Sequence, residues 1–336
     1  MTRGWAGAKP PRSAGHLLRP TLAIAAALLA ACTSVPDGPA VRVGVPPGSS
    51  VASVAESLTA RGVIANPRWF RLLARLKGTH RHIQPGVYEF RPGAGEGPIL
   101  DQLAAGKSIR LQVTLPEGGT IWELARNAER QLGIPRDSTL AAERDSTLLR
   151  EFGISGQSVE GWLRPETYDF GGYDTAHDVV RRFLRERQSH WPADWRARAD
   201  AADLDRAEVL SLASIVEAEA FLPEEMPRIA AVYRNRLRLG MPLQADPTIQ
   251  YAFLLDRGER KSRLFNRDYA YQSPYNTYLH PGLPPTPIGN PSDVAIEAVL
   301  SPADVKDLYF VARGDGSHVF ARTYREHLRN IRRVRR

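Results

Sequence analysis

Between residues 41 and 64 apolar and polar positions alternate for five residues, break at a Pro-x-Gly, and then take up a helical period after Ser50. The pattern returns without a gap at 111–134: "VRVGVPPGSSVASVAESLTARGVI" lies over "LQVTLPEGGTIWELARNAERQLGI". Val43/Val113, Pro46/Pro116, Gly48/Gly118, Ala55/Ala125 and Ile64/Ile134 coincide, and most other apolar positions match in kind. Each copy predicts a short strand, a turn, and a helix opened by Ser or Thr. Between them, 84–93 reads as a strand and 97–107 as a short helix closed by Gly106. Residues 160–170 (EGWLRPETYDF) read as a loop with aromatic anchors, and 179–191 as an Arg-rich amphipathic helix.

Further along, Asp205-x-x-Glu208 forms a capping box, so a helix is expected from Arg206. Val209, Leu210, Leu212, Ala213, Ile215 and Val216 leave it almost no polar face, the pattern of a buried helix. It ends in two carboxylates, Glu217 and Glu219, which a helix sets about 200° apart. One is expected at a cleft, while the other caps, pairs with an arginine or meets water. Met226, Ile229, Ala230, Tyr233 and Leu237 mark the apolar stripe of a following helix, ended by Gly240. Asn290 before Pro291 predicts a helix starting there. Residues 308–321 read as two strands around a Gly/Asp turn, and 322–336 as a basic amphipathic helix. The predicted fold class is α+β: a module over 41–134 built from the two strand-turn-helix repeats, then a larger mixed α/β domain over 135–336.

The 336 residues carry a net charge of +8, which favours acidic partners such as anionic lipid or an acidic polymer. The N-terminus changes the picture further. Arg3, Lys9, Arg12 and Arg19 precede an apolar run, 21–31, well short of the roughly 20 residues that span a bilayer. Leu29-Ala30-Ala31-Cys32 resembles the lipobox of bacterial lipoproteins, in which the cysteine is lipidated and becomes the mature N-terminus. Residues 1–31 are then a lipoprotein-type signal segment and 32–40 a tether. Cys32 is the only cysteine, so a disulfide within the chain is excluded and a thiol nucleophile disfavoured. Export weighs against nucleic acid as a partner. The strand-turn-helix repeats resemble LysM-like modules, which bind N-acetylglucosamine-containing glycans.

Candidate chemistry gathers after residue 212. The stretch 241–251 (MPLQADPTIQY) reads as a loop carrying Gln244 and Asp246 just before a proline and a helix start. Tyr275, Asn276, Thr277 and Tyr278 cluster ahead of a proline-rich stretch that holds one conformation. Aromatic faces with amide donors and acceptors suit a sugar ring. His280, His318 and His327 show no metal-ligand spacing, and no cofactor is expected.

"SIVEAEA", "RNRLRLGMPLQADPTIQY", "SPYNTYLHPGLPPTPIGNP" and "DLYFVARGDGSHVF" resemble, in order, the motifs of the endolytic murein transglycosylase (MltG, YceG-like) family. The resemblance runs from about residue 41 to 330. It implies cleavage within peptidoglycan glycan strands to leave 1,6-anhydro-muramoyl ends, with no cofactor, and Glu217 as catalytic acid/base. Gln244, Asp246, Tyr275, Asn276, Thr277 and Tyr278 would bind sugar or orient the acid. It also implies a membrane-anchored, periplasm-facing enzyme working beside peptidoglycan synthases, at the inner membrane, or at the outer membrane if Cys32 is lipidated. Family members usually carry an N-terminal transmembrane helix, from which the short apolar run and Cys32 depart. Two rivals stay open: a hydrolase pairing Glu217 with Asp246 or Glu219, and a glycan-binding protein without catalysis.

Overall fold

The structure, a computed structural model, describes residues 38–335, and the signal segment, Cys32 and most of the tether lie outside them. The chain divides into two compact units, one ending at Ile109 and one beginning at Arg110. Strands among the described residues pair into three antiparallel two-stranded sheets, so the mixed α+β class holds.

The first unit runs β1 (Val41–Val45), α1 (Val51–Ala60), α2 (Pro67–Leu76), β2 (Gly86–Phe90) and α3 (Glu96–Ala104). β1 pairs with β2, Val41 opposite Phe90 and Val45 opposite Gly86. Alternate residues Val43, Val45, Tyr88 and Phe90 therefore share one face, and they pack on Val54, Leu58, Phe70, Leu100 and Leu103. Each such buried side chain contributes about 1.5–3 kcal/mol.

The second unit opens on the second copy: β3 (Leu111–Leu115), α4 (Ile121–Leu132), α5 (Arg136–Ala142), α6 (Ser146–Glu151), β4 (Glu166–Phe170) and α7 (Ala176–Ser189). β3 pairs with β4, Leu111 opposite Phe170. Each copy thus closes its own sheet, and the division falls between the copies rather than after residue 134, where the sequence pattern sets it. The helices start where expected, at Ser50 and Thr120. Both Pro-x-Gly turns pass through left-handed glycines, Gly48 at φ 77° and Gly118 at φ 67°.

Residues 166–170, expected as loop, are β4. Gly161, Pro165 and Gly171 crowd the turn signals around a five-residue strand, and Tyr168 and Phe170 are its inward positions. On α7 one of the arginines is not on a solvated face. Arg187 is fully buried, and its guanidinium donates to Asp293 Oδ1 at 2.6 Å and Pro291 O at 2.6 Å.

The unit continues with α8 (Ala193–Ala201), α9 (Arg206–Glu219), α10 (Met226–Arg238), α11 (Asp246–Arg257), α12 (Asp293–Leu300), the hairpin β5 (Tyr309–Ala312)–β6 (His318–Ala321), and α13 (Tyr324–Val334). α9 is the core helix, packed among α8, α10, α11 and α12. α12 is capped by Ser292, two residues later than the Asn-Pro pair predicts. Asn290 is occupied elsewhere: its Oδ1 accepts from Leu163 N at 3.0 Å, and its Nδ2 donates to Glu160 Oε1 at 2.6 Å. No helix among the described residues is long and apolar enough to cross a membrane.

Candidate active site

The capping box that starts α9 is made: Asp205 Oδ1 accepts from Glu208 N, and Glu208 Oε2 from Asp205 N, both at 2.8 Å. Every residue from 209 to 216 is buried, so the helix position is fixed by packing on all sides. Its last two carboxylates leave in different directions, as 100° per residue requires.

Glu217 turns toward α12. Its Oε2 accepts from Ser292 N at 2.9 Å and from the Ser292 hydroxyl, while that hydroxyl accepts from Ala295 N as the helix cap. Gly118 lies against it, close enough that a Cβ there would sit 3.2 Å from Glu217 Cγ. Glu217 braces the start of one helix and the turn of the second repeat.

Glu219 turns the other way, into a cavity of about 300 Å³ lined by Tyr233, Arg236, Gln244, Asp246, Tyr278, Phe310, His318 and His327. The Tyr233 hydroxyl donates to Glu219 Oε1 at 2.8 Å, and Oε2 has no protein partner among the described residues. Burial pushes the Glu219 carboxyl up to about 7; the Tyr233 hydrogen bond and the Arg236 charge oppose the rise, and the charge of Asp246 adds to it. A carboxyl with this pKa gives and takes a proton near neutrality.

Asp246 opens α11 and faces two phenols: Tyr278 donates to Oδ1 at 2.6 Å and Tyr269 to Oδ2 at 3.3 Å. Gln244, just before it, has φ 54°, a left-handed backbone that a side chain resists at about 1–3 kcal/mol. The conformation is held by Gln244 N donating to Thr277 O at 3.1 Å and Ala245 N donating to Thr277 Oγ1 at 3.0 Å. Arg236, itself buried, donates through Nη1 to Leu243 O and through Nε to Leu308 O, both at 2.7 Å. It ties the Gln244 loop to the β5–β6 hairpin.

Of the residues expected from sequence, Gln244, Asp246 and Tyr278 meet at this cavity, around Glu219. Glu217 does not line it. Asn276 and Thr277 are buried and consumed by the loop: Asn276 Nδ2 donates to Tyr269 O and Tyr271 O, and its Oδ1 accepts from Tyr278 N. Tyr275 lines a separate cavity, its ring 5.2 Å from Tyr251 and its hydroxyl 2.8 Å from Thr286 Oγ1. Pattern reading missed Tyr233, Arg236, Phe310, His318 and His327 as residues of this cavity. Tyr233 sits in the apolar stripe of α10 and reads as core, which its ring is; only its hydroxyl belongs to the site. His318 Nδ1 lies 2.7 Å from Glu225 Oε2 and His327 stacks on Tyr309, so each has a local partner. Among the described residues no group of His, Cys, Asp and Glu is placed to hold a metal.

A sequence model described as the YceG-like family matches residues 43–333. The endolytic murein transglycosylase of Bacillus subtilis is 30% identical over 303 residues, covering 85% of this chain and 82% of that one. That of Streptococcus pneumoniae D39 is 28% identical over 87% of this chain, which spans 58% of its length. A crystal structure of a YceG-like protein from Listeria monocytogenes superposes with a TM-score of 0.59 at 28% identity, covering 87% of this chain and 99% of that one.

Proposed function

This chain belongs to the YceG-like family, and on that premise we propose that it is an endolytic murein transglycosylase whose acid/base is Glu219. The resemblance in sequence gives that role to the neighbouring Glu217. The observation that moves it is the cavity: Glu219, its carboxyl pushed up to about 7, faces Gln244, Asp246 and Tyr278, while Glu217 lies outside that lining with its Oε2 held by Ser292.

In this reading protonated Glu219 gives its proton to the glycosidic oxygen leaving as the 4-hydroxyl of N-acetylglucosamine. The bond to the muramoyl anomeric carbon breaks with oxocarbenium character. The muramoyl 6-hydroxyl then bonds to that carbon, and its proton returns to Glu219. The nucleophile is part of the substrate, so proximity supplies much of the rate and one carboxyl serves both steps. Tyr233 orients the carboxyl, Gln244 and Tyr278 contact sugar, and Asp246 keeps Glu219 protonated through its charge. Asn276 and Thr277 hold the loop that carries Tyr278.

The test is digestion of purified murein, with products weighed by mass spectrometry. Glu219→Gln is expected to lose about 10²–10⁴-fold in rate, the worth of a general acid. Glu217→Gln should stay within about tenfold of wild type, losing stability rather than chemistry. The reverse order would return the role to Glu217. A second reading rests on Asp246 sharing the cavity with Glu219: two carboxyls could activate water. Products heavier by one water, with reducing ends, would establish hydrolysis.

The remaining proposals rest on sequence. The Cys32 segment anchors the chain to a membrane with the catalytic unit facing the periplasm. The two repeats act as LysM-like glycan contacts, and cleavage limits the length of strands made by peptidoglycan synthases. Support for the repeats is that the strand of each pairs with a second strand beyond its own helices, closing a separate two-stranded sheet.

A further inference from the structure

α2 presents an uncovered apolar stripe beside a row of unpaired arginines. Asn66 caps it, its Oδ1 accepting from Arg68 N and Trp69 N at 3.0 and 3.1 Å. Phe70 and Ala74 turn inward and are fully buried in the core of the first unit. On the outside Trp69, Leu72 and Leu76, at i, i+3 and i+7, are 47%, 48% and 72% exposed. Arg68, Arg71 and Arg75 repeat the same spacing on the adjoining face, all exposed. Their guanidinium groups have no ion pair or hydrogen bond among the described residues.

We propose that α2 lies flat on an anionic lipid surface, Trp69, Leu72 and Leu76 entering the headgroup boundary while Arg68, Arg71 and Arg75 pair with lipid phosphates. A surface-seeking helix has this composition: an apolar edge led by Trp and a cationic flank. A glycan would match the Trp ring but gives Leu72 and Leu76 nothing to pack on, and a second copy would set its arginines against these. The inference rests on the proposed anchor. Residues 33–40 reach at most about 29 Å when fully extended, so the unit bearing α2 is kept near the bilayer surface.

The full chain is reconstituted with vesicles of phosphatidylglycerol and phosphatidylcholine brominated in the acyl chains, and vesicle association is read by flotation. Trp69 fluorescence is isolated as the difference between wild type and Trp69→Phe. Expected is strong quenching of Trp69, reduced when Arg68, Arg71 and Arg75 are all changed to Gln or when phosphatidylglycerol is omitted. Three arginines beside an anionic surface strengthen association about a hundredfold. A chain that floats with vesicles while Trp69 is unquenched overturns this proposal and leaves the anchor standing. A chain that does not float overturns both. Quenching abolished by added glycan strands would make the stripe a glycan contact and overturn the lipid assignment.

Discussion

Removing the Tyr233 hydroxyl isolates how the acid is tuned. In Tyr233→Phe the ring stays in the core, where it meets Phe310 edge-on at 5.8 Å, and only the donor to Glu219 Oε1 is lost. A hydrogen bond to an ionised group is worth about 1.5–3 kcal/mol, and one pKa unit is about 1.4 kcal/mol. Because the phenol binds the carboxylate better than the neutral acid, its loss raises the Glu219 pKa by about one unit, from about 7 to about 8. The reaction begins from the protonated acid, so the alkaline limb of kcat/KM should move up by that amount, with activity on the acid side within about threefold. Asp246→Asn removes a like charge and should move the limb down. The assay is initial rate of anhydro-end formation across pH. A limb that stays in place or moves down in Tyr233→Phe refutes the assignment of Glu219 as the titrating acid.

Glu160 is fully buried and accepts from Ile121 N, Tyr251 and Asn290, yet burial and the charge of Glu143 still push it up to about 8. Its folded pKa lies above the unfolded value, so stability is lost as pH rises from about 4.5 through 8, by roughly 3–5 kcal/mol. Glu160→Gln should abolish that loss and melt above wild type near pH 9. Arg187→Leu takes the buried donor from Pro291 O and one of two arginine partners from Asp293, which keeps Arg164, and should cost about 1–3 kcal/mol, measured by chemical unfolding. Gly48→Ala and Gly118→Ala share the penalty of a left-handed residue, about 1–2 kcal/mol. Only at Gly118 does the new methyl also meet Glu217, so it should destabilise more, and equal costs would deny the contact.

The sequence was legible where one short pattern decides one element. The capping box at Asp205, the repeat turns at Gly48 and Gly118, and the hairpin around Gly314 are each set by residues a few positions apart. The rest depended on pairings far along the chain. β4 is a strand because Leu111 lies opposite Phe170, and Ser292 rather than Asn290 caps α12 because Glu160 and Leu163 hold Asn290. The pair Glu217/Glu219 shows the boundary well. Helical geometry says that the two diverge; which one meets a cleft is decided by where Tyr233 and Ser292 arrive from other segments. Asn276 and Thr277 have the right chemistry for sugar, but their polar atoms are already used by the loop.

Arg236 has a consequence beyond its hydrogen bonds. One buried guanidinium grips Leu243 O on one wall of the cavity and Leu308 O on another, and Gln244 is locked in a backbone conformation it would not choose. If Glu219 is the acid, as proposed, the dipoles around it are set before a glycan enters, and little reorganisation remains to be done when charge develops. Under the proposed role of this cavity, the work of adaptation falls to the flexible substrate rather than to the protein.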